Sequence, residues 1–409
     1  GRAAVDGGHA PGQVEARLLL ARICLEQEDY AAALKLLGQG LQLDPDNISM
    51  GLLMAGAYQK AGQLPEAMKT LKDLISRRPG QENLYFALVS LYLDEDQPDQ
   101  ALGQLMLLLE QKPELKSGYL ALADLHMSMD RPGQAASVLH QGLASLPGDR
   151  DILLALARAY LSSKELNQAR QTITHLTSTH HDELTLVQAG KLSAEAYLMQ
   201  GRQDRALEEL NQVLEISPAD SRAALARGRL LALTGDTDAA IQDFRTVVRE
   251  DSSSALGYYY LAGCHFQNND HLLAADNLRQ AVQAEPDFLP ARLGLAEYLA
   301  GRGDLPAARE QLEQARLKHP DHPLTLLLEA DMLTAQKQIQ AARQSYQHLC
   351  GTYPDWPLPY TRLASLHLSQ DELQNALQTL QLALDHGLDS PEVSFLLAEI
   401  HYRMNNPEK

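Results

Sequence analysis

The residues best suited to chemistry lie in one short stretch near the middle of the chain, HLTSTHHDEL, which spans residues 175–184. His180, His181, Asp182 and Glu183 are consecutive there, and His175 lies one helical turn or so before them. Imidazole nitrogens and carboxylate oxygens together are ligands for a divalent cation. The spacing matches no known metal motif, and polar residues collect in loops without any ligand. The sequence therefore predicts a polar loop here and no metal site.

The sequence carries none of the common catalytic signatures. It has no glycine-rich phosphate loop, no G-x-S-x-G nucleophile elbow and no H-E-x-x-H pair. Its three cysteines, Cys24, Cys264 and Cys350, are far apart and form no C-x-x-C pair, which argues against a disulfide framework or a zinc site. We therefore predict a protein that is not an enzyme and that needs no cofactor. Reduced thiols fit the cytoplasm and are compatible with the periplasm, so the compartment stays open.

Composition narrows the class of partner. The formal net charge of -18 at pH 7 repels a phosphate backbone, so nucleic acid is not an expected partner. No apolar stretch approaches the roughly 18 residues needed to span a bilayer. Aromatic residues make up only 5% of the chain, whereas Ala and Leu dominate, which favours helix. The expected partners are therefore proteins or peptides.

A period of 34 residues organises most of the chain. Prolines recur at this interval in two series, separated by a shift of three residues near 180–186, and Ser252 takes one slot of the second series: Pro45, Pro79, Pro113, Pro147, and then Pro218, Pro286, Pro320, Pro354. When the chain is aligned on this period from Val14, the twentieth position is Ala in every one of eleven repeats: Ala33, Ala67, Ala101, Ala135, Ala169, Ala206, Ala240, Ala274, Ala308, Ala342, Ala376. This uniformity predicts two helices that cross so closely that only a methyl group fits.

Two further positions define the repeat. The eighth is small in nearly every repeat: Ala21, Ala55, Val89, Ala123, Ala157, Ala194, Gly228, Ala262, Ala296, Ala330, Ala364, Ala398. The fifteenth is usually a residue that tolerates the left-handed conformation at a helix end: Gly62, Asp96, Asp130, Gly201, Gly235, Asn269, Gly303, Asp371, Asn405. Apolar residues recur between these positions in steps of three and four, which is the helical period. Each repeat is therefore predicted to be two helices joined by a tight turn.

This helix–turn–helix pattern resembles the tetratricopeptide repeat, whose small-residue, Tyr, Ala and Pro positions keep the same register. The resemblance implies an all-α solenoid, a right-handed superhelix of antiparallel helix pairs with a concave groove. It gives these segments: repeats 1–5 at 14–183, a three-residue phase slip at 184–186, repeats 6–11 at 187–390, and the first helix of an incomplete twelfth repeat at 391–409. Residues 1–13 are rich in Gly and Ala without periodicity, and we predict a disordered leader or linker there.

In the family, positions 2, 5, 9, 12 and 13 of each first helix face the groove. Position five of this chain is mostly apolar or aromatic, and position nine alternates in charge. The resemblance therefore predicts a partner-binding groove formed by Leu52, Phe86, Leu120, Leu154, Tyr259 and Phe266 together with Arg22, Asp124, Arg158 and Arg229. Such a stripe suits an extended or helical peptide with regularly spaced apolar anchors. Core packing is the competing interpretation, because position five also faces the adjacent first helix.

The sequence thus favours a non-catalytic scaffold for protein–protein interaction. Dense Leu-Ala repeats with short Gly-Asp turns resemble bacterial members of the family, including the tetratricopeptide arms of envelope and exopolysaccharide-export assemblies. A periplasmic component of such an assembly is accordingly one alternative. Self-association through an end of the array and a regulatory arm of a longer enzyme are the others. Localisation, whether periplasmic or cytoplasmic, is not decided by the sequence.

Overall fold

The computed structural model describes residues 10–405, which form 23 α-helices and no strand within that range. In chain order the helices are α1 (Ala10–Glu26), α2 (Tyr30–Leu43), α3 (Ile48–Lys60), α4 (Leu64–Arg77), α5 (Glu82–Asp94), α6 (Pro98–Gln111), α7 (Lys116–Ser128), α8 (Pro132–Ser145), α9 (Arg150–Ser162), α10 (Leu166–Thr179), α11 (Glu183–Met199), α12 (Gln203–Ile216), α13 (Ser221–Thr234), α14 (Thr237–Glu250), α15 (Ala255–Gln267), α16 (His271–Ala284), α17 (Leu289–Gly301), α18 (Leu305–Lys318), α19 (Pro323–Ala335), α20 (Ile339–Thr352), α21 (Pro357–Ser369), α22 (Leu373–Asp385) and α23 (Pro391–Asn405). Of the predicted leader, residues 1–9 lie outside the described residues, and residues 10–13 belong to α1.

Odd-numbered helices are the first helices of the repeats, and even-numbered helices are the second. The chain divides after Ile216 into two compact units, which we call unit 1 and unit 2. Within each unit every helix packs against the helices before and after it in the chain. Successive first helices also touch, as α7 touches α9 in unit 1 and α17 touches α19 in unit 2. The prediction of an all-α tetratricopeptide architecture is therefore confirmed.

The alanines at the twentieth position form the inner seam of each repeat. All eleven have a relative exposure of 0%. Most of them share a core cluster with the small residue at the eighth position of the same repeat, as Ala135 does with Ala123 and Ala342 with Ala330. A close crossing of the two helices explains this pairing, because a larger side chain on either helix would push them apart. Ala398 in α23 is exposed, since no second helix follows it within the described residues.

Gly228 departs from the Ala pattern at the eighth position for a visible reason. A Cβ atom on this residue would lie 2.8 Å from Cε1 of Phe244 and 3.1 Å from Cβ of Asp243. Phe244 is fully buried, and its ring stacks on Tyr260 with centroids 5.2 Å apart. In this repeat an aromatic ring therefore fills the space that a methyl group fills elsewhere.

The turn between the two helices holds its fifteenth residue at positive φ in all eleven complete repeats. The predicted Gly, Asp and Asn positions from Gly62 to Asp371 are confirmed, and the structure adds Glu28, Lys164 and Lys337, with φ between 60° and 61°. The following residue closes each turn with a backbone hydrogen bond to a carbonyl five residues earlier, as from Gln338 N–H to Leu333 O at 2.9 Å. The closure of the turn imposes the left-handed backbone whatever the side chain.

Replacing Lys337 by Gly is expected to stabilise the protein. A residue with a Cβ atom pays about 1 kcal/mol for the left-handed conformation, and the greater freedom of Gly in the unfolded chain offsets part of the gain. We expect the free energy of unfolding, measured by urea denaturation, to rise by up to about 1 kcal/mol. Gln280→Gly, in the exposed middle of α16, is the control and should lower it by a similar amount. Equal effects of the two variants would contradict this view of the turn.

The three-residue slip falls in the first turn of α11. This helix has 17 residues, whereas the first helix of the preceding repeat, α9, has 13. Asp182 caps α11 by accepting hydrogen bonds from Thr185 N at 3.0 Å and Thr185 Oγ1 at 2.7 Å. Thr185 is fully buried, which fixes this extra turn against the core of unit 1. The added residues therefore lengthen a helix.

Candidate partner-binding surface

The apolar stripe of unit 1 is only partly on the surface. Leu52, Phe86 and Leu120, on α3, α5 and α7, are half-buried and pack against the core clusters beneath them. Leu154 on α9 is 4% exposed and belongs to the core cluster that also contains Leu192 of α11. The competing interpretation, core packing, therefore accounts for Leu154, whereas the other three keep part of their apolar surface free.

Position nine of the same helices carries the charges of this face. Arg22, Asp124 and Arg158 are all exposed. Within residues 10–405, Asp124 and Arg158 take part in no ion pair. Leu120 and Asp124 are four residues apart on α7, so they lie one turn apart on the same helix face. We call the surface formed by Leu52, Phe86, Leu120, Asp124 and Arg158 the first-helix face of unit 1.

In unit 2 the predicted residues lie in an aromatic network. Tyr259 is half-buried, with its ring centroid 5.7 Å from Phe288 and 5.8 Å from Tyr260. Phe266 is half-buried 6.2 Å from Tyr298. These rings hold one another in place, so they are rigid apolar groups rather than free side chains.

Arg229 is the exposed charge of this region of unit 2. Its guanidinium lies 5.6 Å from the centroid of the Tyr260 ring, a cation–π geometry that orients the charge. The sequence reasoning placed Arg229 on this surface but missed Tyr260, because a run of three tyrosines does not show which ring lies beside the arginine.

A second group that sequence reasoning missed surrounds Asp331, the position-nine residue of α19. Tyr346 donates a hydrogen bond from its hydroxyl to Asp331 Oδ1 at 2.5 Å, and Arg362 Nε lies 3.5 Å from Asp331 Oδ2. Burial, together with this hydrogen bond, raises the pKa of Tyr346 far above its usual value, so the hydroxyl stays a donor. The charge of Asp331 is therefore engaged within the protein and is less available to a partner than that of Asp124.

Comparison with known proteins bears on the whole helical array. Two family models, both described as tetratricopeptide repeat, match the chain, one at residues 25–91, 126–193 and 268–332 and the other at residues 191–255 and 225–287. Together they cover more than half of the chain. The protein belongs to the tetratricopeptide-repeat family.

Several solved structures resemble this tetratricopeptide-repeat protein, and none of the curated proteins matches its sequence. The Cut9–Hcn1 hetero-tetramer of the APC/C is similar with 18% identity over 95% of this chain and 84% of that one, at a TM-score of 0.47. Yeast Tom70 has 14% identity over 97% of both chains, at a TM-score of 0.43. YrrB, described as a TPR protein with an unusual peptide-binding site, has 18% identity over 46% of this chain and 95% of its own, at a TM-score of 0.35.

Side chains of the polar stretch between residues 175 and 184 make structural hydrogen bonds within this tetratricopeptide-repeat protein. The ring of His180 is hydrogen-bonded through Nε2 to Gly148 O at 2.9 Å, and Asp182 caps α11. The hydrogen bonds from Thr185 lower the pKa of Asp182, with the hydroxyl contributing most. No group of three His, Cys, Asp or Glu side chains within residues 10–405 is arranged to hold a metal ion. Nor is any helix in that range both long and apolar enough to cross a bilayer.

Three histidines at position eleven of the first helices, His126, His265 and His367, belong to the packing of the repeats. His265 and His367 are buried, with relative exposures of 6% and 4%. His126 is half-buried, and burial together with the charge of Arg131 lowers its pKa, so it stays neutral at neutral pH. These residues take the place of the family's Tyr in the packing of the repeats.

Proposed function

We propose that this protein is a non-catalytic scaffold that binds a partner protein or peptide through the first-helix face of unit 1. The observation that carries the proposal is the combination of half-buried apolar side chains and unpaired charges on the same helices. Phe86 and Leu120 keep part of their apolar surface free, and Asp124 and Arg158 are exposed without an ion pair among the described residues.

The spacing of these residues suits an elongated partner segment. Packed helices lie about 8–10 Å apart, so α5, α7 and α9 offer contacts at regular intervals. Each apolar side chain of this face would pack against an apolar side chain of the partner. Such buried side chains supply most of the binding energy at an interface. The opposite charges of Asp124 and Arg158, on neighbouring helices, would fix the direction in which the segment lies.

Reversing both charges on this face is expected to weaken partner binding without unfolding the protein. Asp124→Arg together with Arg158→Glu changes two exposed residues, so the melting temperature should move little. The reversed charges would face like charges on a partner that complements the unaltered face, and such contacts cost several kcal/mol. We therefore expect the affinity of a partner captured with the unaltered chain to fall by about tenfold or more. Isothermal titration calorimetry with the purified partner gives this number.

The matched control puts the same charge changes on second helices of the same unit. Asp73→Arg on α4 and Arg170→Glu on α10 also change exposed residues and leave the net charge unaltered. We expect the partner to bind this double variant as tightly as the unaltered chain. If the control weakens binding and the Asp124 and Arg158 variant does not, the partner uses the second-helix side, and the proposal for the first-helix face is wrong.

Capture of a partner with the unaltered chain also tests the alternative functions that the sequence suggests. A captured partner from an envelope or exopolysaccharide-export assembly would support the periplasmic alternative, and a captured second copy of the chain would support self-association. In unit 2, Tyr259, Phe266 and Arg229 form a rigid aromatic surface with an oriented charge, which suits a second contact with the same or another partner.

A further inference from the structure

The helix α1 of unit 1 has an apolar outer side that no other helix within residues 10–405 covers. On its inner side, Val14 and Ala21 are buried in the core of the first repeat. The opposite side carries three large aliphatic residues with relative exposures of 54%, 51% and 50%: Leu19, Leu20, Ile23. Large aliphatic residues that are exposed together on one side of a helix mark a surface for contact with another protein surface. We call the outer side of α1, formed by Gly12, Ala16, Leu19, Leu20 and Ile23, the α1 face.

The same side of the first helix is a packing surface in the repeats that follow. Leu91 of α5 and Leu125 of α7 occupy the position of Ile23, and their relative exposures are 2% and 8%. Both belong to a core cluster that spans several repeats. Ile23 has the same aliphatic character and is half exposed. The α1 face is therefore built like a buried surface but is open among the described residues.

Small and large residues lie at opposite ends of the α1 face. Gly12 and Ala16 form its N-terminal half, whereas Leu20 and Ile23 form its C-terminal half. A Cβ atom on Gly12 would meet no atom within 4 Å, so there is free space beside it. A second copy of α1 in the antiparallel direction places its large half against the small half of the first. A parallel copy would instead place large residues against large ones and leave a gap beside Gly12.

The charges of α1 favour the same direction. Glu15 and Arg22 are seven residues apart, so they lie two turns apart along one edge of the α1 face. Both are exposed, and neither takes part in an ion pair within residues 10–405. Gln13 and Gln27, which are neutral, lie along the other edge. In an antiparallel pair with its two-fold axis close to Leu19, Glu15 of each copy faces Arg22 of the other, whereas a parallel pair would place like charges side by side.

We propose that the α1 face is a dimerisation surface, on which a second copy of this chain packs its own α1 in the antiparallel direction. Leu19, Leu20 and Ile23 of both copies become buried, and two equivalent ion pairs between Glu15 and Arg22 fix the direction and register. Such a contact uses the same surface on both copies, so the assembly closes at two. This inference gives the self-association alternative a defined surface, which is separate from the first-helix face on α3, α5, α7 and α9.

A dimer would carry two copies of the first-helix face. A partner with two binding segments would then gain avidity without any new contact. This consequence alone rests on the function proposed above, since dimerisation through α1 does not require that any partner binds.

The dimer is expected to be weak. One helix from each copy, with three aliphatic residues each, buries less than the roughly 1,200 Å² of a standard interface. We expect a dissociation constant of about 10 µM, so sedimentation velocity of the whole chain between about 1 and 200 µM should show a shift from monomer to dimer. A chain that stays monomeric over this range would overturn the proposal.

Reversing one charge at a time tests the predicted direction and register. Glu15→Arg and Arg22→Glu each place like charges opposite one another twice in a dimer, so each should weaken self-association by about tenfold or more. A mixture of the two variants should form a mixed dimer about as tightly as the unaltered chain, because both pairs again join opposite charges. Fluorescence-detected sedimentation of labelled Glu15→Arg, titrated with Arg22→Glu, measures this. A mixture that associates no better than either variant alone would contradict antiparallel pairing through α1.

A matched pair of leucine variants locates the contact. Leu20→Glu on α1 should abolish the dimer, whereas Leu107→Glu on α6, where the leucine is 47% exposed, should leave it intact. Both leucines are about half exposed, so both variants should keep the melting temperature of the unaltered chain. Dimers that survive Leu20→Glu and disappear with Leu107→Glu would place the contact on α6 and overturn the proposal. The first-helix face is tested at Asp124 and Arg158 on other helices, so either proposal can fail without the other.

Discussion

Replacing Asp243 by alanine is expected to lower the free energy of unfolding by about 3–5 kcal/mol, because it takes the bidentate carboxylate of Asp243 away from a partly buried guanidinium. Asp243 is 4% exposed, and both of its oxygens accept from Arg227, at 2.8 Å from Nε and 2.7 Å from Nη2. This bidentate geometry raises the pKa of Arg227 further above its usual value. Urea denaturation followed by circular dichroism measures the loss.

A double-mutant cycle separates the pair from simple packing. In an Arg227→Met background the same Asp243→Ala change should cost much less, since the guanidinium that Asp243 contacts is already absent. The control is Asp276→Ala, which removes an exposed partner of Arg279 at 2.6 Å and should change stability by less than about 1 kcal/mol. Equal losses from Asp243→Ala in the two backgrounds would contradict a role for the ion pair.

Replacing Ala135 by leucine is expected to lower the free energy of unfolding by about 1–3 kcal/mol through overpacking. Ala135 has no exposed surface and faces Ala123 across the seam between α8 and α7. The longer side chain has no space unless the two helices separate. Because each repeat leans on its neighbours, the separation should also loosen the repeats on either side.

The matched control for this prediction lies on the same helix. Ala144 of α8 is exposed, so Ala144→Leu adds the same atoms to the surface. Its free energy of unfolding should stay within about 0.5 kcal/mol of the unaltered chain. If Ala135→Leu is tolerated equally well, the twentieth position is not the closely packed seam that its uniform use of Ala indicates.

Most of the architecture could be predicted because the 34-residue period repeats the same physical constraint eleven times. A single buried Ala is uninformative, whereas Ala33 through Ala376 in one register shows that two helices cross at each of them. The turns were harder to predict at Lys164 and Lys337, because the turn forces positive φ on residues that rarely adopt it. The extra turn of α11 was also hidden, since a shift in period shows that residues are added but not which element takes them.

The surfaces could be predicted less well, because the exposure of a side chain depends on residues of neighbouring helices. An alignment of one repeat position does not show those residues. Leu120 and Leu154 occupy the same position, yet only Leu154 is covered, by contact with residues of α11 such as Leu192. The pair of Arg227 and Asp243 joins two helices, so neither residue identifies the other in the sequence.

The measurement that tests the central claim most directly is site-specific photo-crosslinking in a lysate of the source organism. A benzophenone amino acid is placed at position 124 or 158 on first helices of unit 1, and at position 69 or 170 on second helices of the same unit. All four residues are exposed, so the four proteins should fold alike. We predict that one partner crosslinks at 124 and 158 and not at 69 and 170. A partner that crosslinks only at 69 and 170 would contradict binding through the first-helix face.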